Sequence, residues 1–449
     1  MSSIEFDNKD SLKVVDMVDF KRLALAGVAT SVMAMAMAMA GSAYAQAGGD
    51  YFARDKYEAV TDRYQPEYDP EPIRLGAFLV NSQFNAGLDY TSNVFGSNNN
   101  EESDVIARVG ADVRARTNWS VHEISADISA SRDEFQDFDQ QSATNVRANL
   151  AGRLDVTRQF SLGGNVYHEQ RTDQRFDPSN AAGLGSPIEY TVDGVALQAN
   201  YTNGRIRWRN SANFSETDFD DAVTPGGAPV DQDYRDRSDT VLRSRLSYAV
   251  SPNFAVFGQG VLEDYEYDQA TIINGQPRSR DYSVSTISAG ANFELEALVR
   301  GDIAVGYLES EKDDAFFPDV DGLAVDASMQ WFPSRLTTVG FSAGRRVIDT
   351  GVLDSPSAIY TNYGVRVDHE LRRNIIVSGY ANFSDYEFEE IDRKDDVLDL
   401  RASVTYKINK RVHTNAYIGR VTRDRSGAGL TGDQSLEANL IGIGVSIYP

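Results

Sequence analysis

The stretch Val105-Ile106-Ala107-Arg108-Val109-Gly110-Ala111-Asp112-Val113-Arg114-Ala115 decides how this chain folds. On an extended backbone Val105, Ala107, Val109, Ala111, Val113 and Ala115 fall on one side, and Arg108, Asp112 and Arg114 on the other. A strand with this period of two offers one face to an apolar medium and one to water. The segment from Leu398 to Ile408 repeats it, with Leu400, Ala402, Val404 and Tyr406 set against Asp399, Arg401, Ser403, Thr405 and Lys407. A soluble sandwich also alternates, but it turns its apolar face into a core of large side chains. Here that face is often Ala, Gly and Val, which suits lipid tails.

Working outward from these segments, the chain from Leu75 onward reads as about eighteen short alternating strands. Tight turns are expected at Thr117 to Trp119, Arg158-Gln159, Asn203-Gly204, Ser251 to Asn253, Glu296-Ala297, Pro333-Ser334, Arg372-Arg373 and Asn409-Lys410. Asn203-Gly204 is the strongest, since both residues tolerate the positive φ of a type I′ hairpin. Between the turns lie longer polar connections at 91–103, 132–143, 171–188, 216–237, 265–280, 310–320, 349–356, 385–394 and 423–434. The expectation is an all-β, transmembrane antiparallel β-barrel with short turns at its periplasmic end, long loops outside and both chain ends periplasmic. A ring of this size is wide enough for an aqueous lumen unless loops fill it.

The N-terminus agrees with export across an inner membrane. Lys21-Arg22 precede an apolar run from Leu23 to Ala40, and Ala43-Tyr44-Ala45 ahead of Gln46 has the small-x-small form of a cleavage site. Residues 1–45 therefore read as a signal peptide, with Met17 a candidate start, although the run is near the length of a single spanning anchor. Residues 46–73 include the proline-rich, charged Tyr64-Gln65-Pro66-Glu67-Tyr68-Asp69-Pro70-Glu71-Pro72 and read as an extended periplasmic segment, or as a partial plug of the lumen. The barrel is expected over 74–449. The chain has no cysteine, so no disulfide framework or thiolate metal site is available, and its net charge of -24 makes nucleic acid a poor partner.

Two patterns on the strands bear on function. The inner face is rich in arginine: Arg108, Arg114, Arg147, Arg153, Arg207, Arg209, Arg243, Arg245, Arg366 and Arg401 fall on the polar side, mixed with Asp112, Asp127, Asp155, Asp326, Asp368 and Asp399. These read either as ion pairs that brace the wall or as a positive lining that guides an anionic solute or polymer. The outer strand ends carry an acidic and aromatic pattern that includes Phe135, Phe138, Phe219, Tyr265, Tyr267, Tyr386 and Phe388. It reads either as an interfacial girdle whose carboxylates hold divalent cations against lipopolysaccharide, or as a sugar-binding ring at the exit of a path. Enzymatic signals are weak. His122, His168, His369 and His413 lie on separate strands without metal-binding spacing, and Asp319-Val320-Asp321-Gly322 is only a fragment of a calcium loop. No catalytic residue, metal or cofactor is expected.

Tyr64 to Pro70 running into Ile73-Arg74-Leu75-Gly76-Ala77-Phe78-Leu79 resembles the start of a family of outer-membrane barrels described as putative β-barrel porin 2. Leu88 to Phe95 is similar to its first outer loop, Arg116 to Ser120 to its first turn, and Gly152 to Arg158 to its second. The resemblance covers essentially the whole mature chain and brings no catalytic or binding residues with it. Members often occur beside genes for exopolysaccharide synthesis and export. The resemblance therefore implies an outer-membrane barrel that passes a secreted polysaccharide, with a periplasmic polysaccharide export protein as partner. Outer-membrane lipid, lipopolysaccharide and the barrel-assembly machinery, which usually reads a final aromatic residue and here meets Tyr448-Pro449, complete the expected partners. A passive porin for small hydrophilic solutes and a rim-active enzyme are the alternatives. A porin would fold one loop inward, and 216–237 with Pro225-Gly226-Gly227 and Pro229 is the candidate.

Overall fold

The computed structural model describes residues 58–98, 101–179, 183–296, 298–388, 390–427 and 435–449. The expected signal peptide and the first part of the segment after it lie outside the described residues. Eighteen long strands form the wall: β1 Phe78–Thr91, β2 Asp104–Thr117, β3 Glu123–Phe135, β4 Ala143–Asp155, β5 Phe160–Thr172, β6 Glu189–Asn203, β7 Ile206–Phe219, β8 Arg237–Ser251 and β9 Phe254–Tyr267. They continue as β10 Tyr282–Leu295, β11 Val299–Lys312, β12 Val320–Ser334, β13 Thr337–Val352, β14 Ser355–Arg372, β15 Ile375–Phe388, β16 Arg393–Asn409, β17 Val412–Ser426 and β18 Ser435–Ile447. Each pairs antiparallel with the next, and β1 pairs with β18 from Phe84↔Ile447 to Thr91↔Leu440, so the sheet closes without an edge. Closure pairs the middle of every wall strand on both sides within the ring, the condition for crossing a bilayer with strands. Among the described residues no helix is long and apolar enough to cross a membrane.

The alternation assigns the faces. Leu88, Ile128, Leu150, Leu262, Ile287 and Ile418 stand exposed on the convex side. On the other side Arg245 of β8 reaches Asp302 three strands away, and Arg237 reaches Asp349 five strands away, contacts that only a concave interior permits. Val404 lies on the convex face between Val377 and Ala416, and Val113 between Ser82 and Ile128. Arginine at either position should cost about 2–4 kcal/mol of barrel stability, as it does near the bilayer midplane. Urea titration of the two variants in lipid checks this, and unchanged stability in both would exchange inside for outside. Val109 also faces outward, but it lies opposite Arg132 and so near the edge of the apolar band.

Several turns differ from expectation. The pair joining β6 to β7 is Gly204-Arg205, with positive φ at Gly204 (58°) alone, because Asn203 still pairs with Ile206 in the ladder. The two-residue turn with positive φ at both positions is Asn274-Gly275 (52° and 75°), in a small hairpin of one long loop. The β12–β13 turn falls after Ser334, which pairs with Thr337, so Pro333-Ser334 belongs to the strand. The largest departure is at 349–356. No loop exists there: β13 and β14 stay paired as far as Val352↔Ser355 and turn over Leu353-Asp354.

Residues 58–72 are compact rather than extended. Asp62 and Arg63 both donate their N–H to the Ala59 carbonyl, and Tyr68 and Asp69 both donate to that of Gln65, giving two single coils. A short strand Ile73–Leu75 then doubles back through Gly76 (φ 60°) onto Phe78–Val80 and leads into β1.

Candidate functional site

Both mouths of the barrel carry inward structure. At the loop end the β13–β14 hairpin leans in over the lumen. Asp349 accepts hydrogen bonds from Arg237 (2.8 Å) and the Tyr267 hydroxyl, both on strands across the ring. The Tyr234 hydroxyl donates to the Gly351 carbonyl (2.8 Å), and the Gly351 N–H to the Ser179 carbonyl (2.6 Å). Arg280, wholly buried, donates to the carbonyls of Thr350, Val352 (2.9 Å) and Leu353 (3.3 Å), with the rings of Tyr234 and Tyr267 about its guanidinium. Tyr282, Val284, Leu308, Ala324 and Val347 form an apolar cluster at this end. The inward contacts expected of loop 216–237 are made here by the hairpin. That loop contributes Tyr234 as a contact, and its Arg235 bonds Asp173 instead (2.9 Å).

At the turn end, the segment before the barrel lies inside the rim. The Val60 N–H donates to the Thr338 hydroxyl (3.0 Å), and Arg63 and Gln65 both donate to Glu370 (2.8 and 3.3 Å). His413 donates through Nε2 to the Tyr68 carbonyl (2.9 Å), while Lys407 pairs with Asp69 and Lys410 with Glu71. Thr338, Glu370, Lys407 and His413 are buried on the inner side of β13, β14, β16 and β17.

Between the mouths, the alternation places all ten arginines picked out in the sequence on the inner face. Most meet a carboxylate: Arg108 with Asp89 and Asp133, Arg114 with Asp127, Arg147 with Glu169, Arg153 with Asp155, Arg245 with Asp302, Arg366 with Asp368 and Arg401 with Asp399. Arg207, Arg209, Arg243 and Arg245 are gathered on two neighbouring strands, with Arg209 directly opposite Arg245 in the register. Like charges paired across strands destabilise a sheet. Next to them, β6 turns Gln198, Asn200 and Thr202 inward, without charge. The wall at β6–β8 is thus basic and amide-rich.

The rim aromatics lie mostly under the loops rather than in an interfacial girdle. Phe219 stacks on Tyr190 (5.0 Å) beneath Arg235, and Tyr265 stacks on Tyr282 (4.5 Å). Tyr386 meets Tyr360 edge-on, Phe388 carries Arg393 over its ring (4.2 Å), and Phe138 packs against Phe95. The reason is parity: Phe135, Phe219, Tyr265, Tyr267, Tyr386 and Phe388 share the inward register of their strands. The convex face carries other aromatics, Tyr90, Phe214, Tyr307, Tyr363 and Phe383 nearer the loop end and Trp208, Tyr248, Trp331 and Tyr406 nearer the turn end. The four histidines remain apart, His122 against Asp155, His168 against Asp193, His369 against Thr337 and His413 against Tyr68. Asp319 accepts the Lys312 N–H and Asp321 the Tyr307 hydroxyl, which leaves the supposed calcium fragment in two pieces.

One loop contact is pH-sensitive. Asp236 accepts the Phe219 N–H (2.7 Å), and burial, reinforced by Asp218, Asp233 and Asp268, pushes its carboxyl up to about 6. A pKa raised on folding means stability present below the ordinary carboxylate range and lost as pH rises through that value. The protection of the loop 220–236 against hydrogen exchange, each rate taken relative to the intrinsic rate at the same pH, should therefore be greater at about pH 4 than at about pH 7. Asp236→Asn should remove the difference; an equal difference in the variant would exclude Asp236 as its source.

A closed eighteen-stranded ring with an apolar convex belt, a charged interior and an inward hairpin defines a porin-like outer-membrane channel. The chain belongs to the putative β-barrel porin 2 family, whose model matches residues 65–448. Among solved structures it is similar to the copper transporter OprC, at 11% identity and a TM-score of 0.45 over 84% of this chain and 82% of that one. It is similar also to OccK2 (OpdF) of Pseudomonas aeruginosa, at 10% identity and a TM-score of 0.46 over 82% and 98%. A BenF-like porin of Pseudomonas fluorescens Pf-5 matches at 10% identity and a TM-score of 0.44 over 82% and 99%. No curated protein matches in sequence.

Proposed function

We propose that the protein is a passive channel for small hydrophilic solutes, favouring anions, and that it performs no covalent chemistry. The observation that carries this reading is the pairing of Arg209 with Arg245 beside Arg207 and Arg243 on one wall of the lumen. Four guanidiniums gathered on two neighbouring strands, two of them in register, concentrate positive charge on one stretch of the path even with Asp302 bonded to Arg245. The hairpin over one mouth and the strap inside the other favour small solutes over the wide path a secreted polysaccharide would need. In this reading the turn end, with both chain termini, faces the periplasm and the loop end faces the medium, as the short turns and long loops suggest.

Planar-bilayer reversal potentials under a salt gradient test it. The wild type should be anion-selective, and Arg209→Glu with Arg245→Glu should carry the permeability ratio through unity to cation selectivity. Cation selectivity in the wild type, or a ratio untouched by the double reversal, would remove the anion preference.

A further inference from the structure

Inside the loop end, three arginines converge on one aspartate. Asp395 of β16 is fully buried and accepts two hydrogen bonds from Arg393 (both 2.8 Å), while the single Nε–H of Arg425 is shared between its two oxygens (both 3.2 Å). Both oxygens of Asp395 are thus engaged by two guanidiniums. Arg423 stands beside them with 7% of its side chain exposed, its Nε 3.8 Å from the nearest Asp395 oxygen. That buried Nε–H has no hydrogen-bond acceptor. The other groups facing the cluster are the Pro178 carbonyl, which accepts from Arg393 (2.9 Å), the Phe388 ring under Arg393, and the Asp177 carboxylate. Three guanidinium charges thus face two carboxylates. A buried guanidinium with an idle donor is costly to keep, and Asp395 already serves two other guanidiniums. Bracing of the wall explains Arg393 and Arg425 more fully than Arg423, whose 3.8 Å ion pair with Asp395 brings no hydrogen bond to its Nε–H.

We propose that Arg423, with Arg425 and Arg393, forms a binding point for an oxyanion, the carboxylate or phosphate group of a solute entering from the loop end. Guanidinium groups bind such planar or tetrahedral oxyanions through paired, charge-assisted hydrogen bonds. One negative charge would also balance the local excess. Residues 393, 395, 423 and 425 share the inward register of β16 and β17, so phosphates of the surrounding lipid lie on the wrong side of the wall. The site deepens the anion-channel reading by giving the solute a chemical handle, and its test is kept separate from conductance.

The test uses the full-length protein in detergent, with inorganic phosphate and benzoate as probes and chloride as the reference. Each probe should raise the melting temperature of the wild type, and calorimetry should give saturable binding. Arg423→Met should bind at least about tenfold more weakly, the loss expected for one charge-assisted pair. Its melting temperature without probe should equal or exceed that of the wild type, since an unpartnered buried charge has been removed. Undiminished binding by Arg423→Met would overturn the proposal. So would a lower melting temperature of that variant without probe, because Arg423 would then be a brace. If a lipid phosphate were the true ligand, lipopolysaccharide would stabilise the wild type while the free anions did not, which also overturns it. Binding that follows Arg423 in a channel without anion selectivity would overturn the transport reading alone.

Discussion

Replacing Arg280 with methionine should raise single-channel conductance and let larger solutes through the loop end. Methionine fills much of the arginine stem but offers no donor, so the carbonyls of Thr350, Val352 and Leu353 lose the hydrogen bonds that hold the hairpin tip. Each buried carbonyl left unsatisfied costs about 1–3 kcal/mol. Even about 3 kcal/mol for the set moves an in–out equilibrium of the hairpin by roughly two orders of magnitude. The hairpin should move as a unit, because its ladder runs without interruption from Thr337↔His369 to Asp349↔Ser357. Asp349 with Arg237 and Tyr267 still holds it on one side, so the variant should flicker between two conductance levels rather than stay open. Adding Arg237→Met should lengthen the open periods. Lysine at position 280 keeps one charge and fewer directed donors, and should fall between methionine and wild type. A single conductance level identical to wild type in Arg280→Met would show that the hairpin does not set the width of the path.

The barrel was legible in the sequence because lipid on one side and water on the other impose a strict period of two. Eighteen repeats of that period leave little freedom in strand number or order. The inward face of Arg209 and Arg245 follows from the same parity, but their register across two strands does not, since a shift of two residues would preserve every face. The hairpin was hidden for a related reason. Thr350, Gly351, Asp354 and Ser355 have loop composition, and only the pairing of Val352 with Ser355 beyond a register break, with the contacts to Arg280 and Tyr234, shows that the segment is a hairpin tip. The rim aromatics were legible as residues, but their neighbours were not, because an interfacial girdle and an inner shelf under loops use the same residue types. The idle donor of Arg423 had no signal at all, since the gathering of three guanidiniums about Asp395 is a property of the folded cluster.

Deleting residues 46–72 should widen the opposite mouth, and its effect depends on the hairpin in a way that identifies both as constrictions. The strap is held by Val60 on Thr338, Arg63 and Gln65 on Glu370, Asp69 on Lys407, and Tyr68 on His413, contacts with side chains that line the inner rim of four wall strands. None of these four strands depends on the strap for its ladder, so the barrel should still close. Glu370→Gln is the milder variant: it keeps an acceptor for Gln65 but removes the charge facing Arg63, and should loosen the strap without losing it. Two narrow passages along one lumen act as resistances in series. Opening either alone is limited by the other, so the deletion and Arg280→Met should each raise conductance modestly. Together they should raise it by more than the sum of the two increments. Polyethylene glycols of graded size added to one side locate each effect, with the strap deletion changing exclusion from the turn end and Arg280→Met from the loop end. Simple addition of the two increments would mean parallel paths, and a deletion without effect would mean that the strap lies along the wall and leaves the path as wide as before.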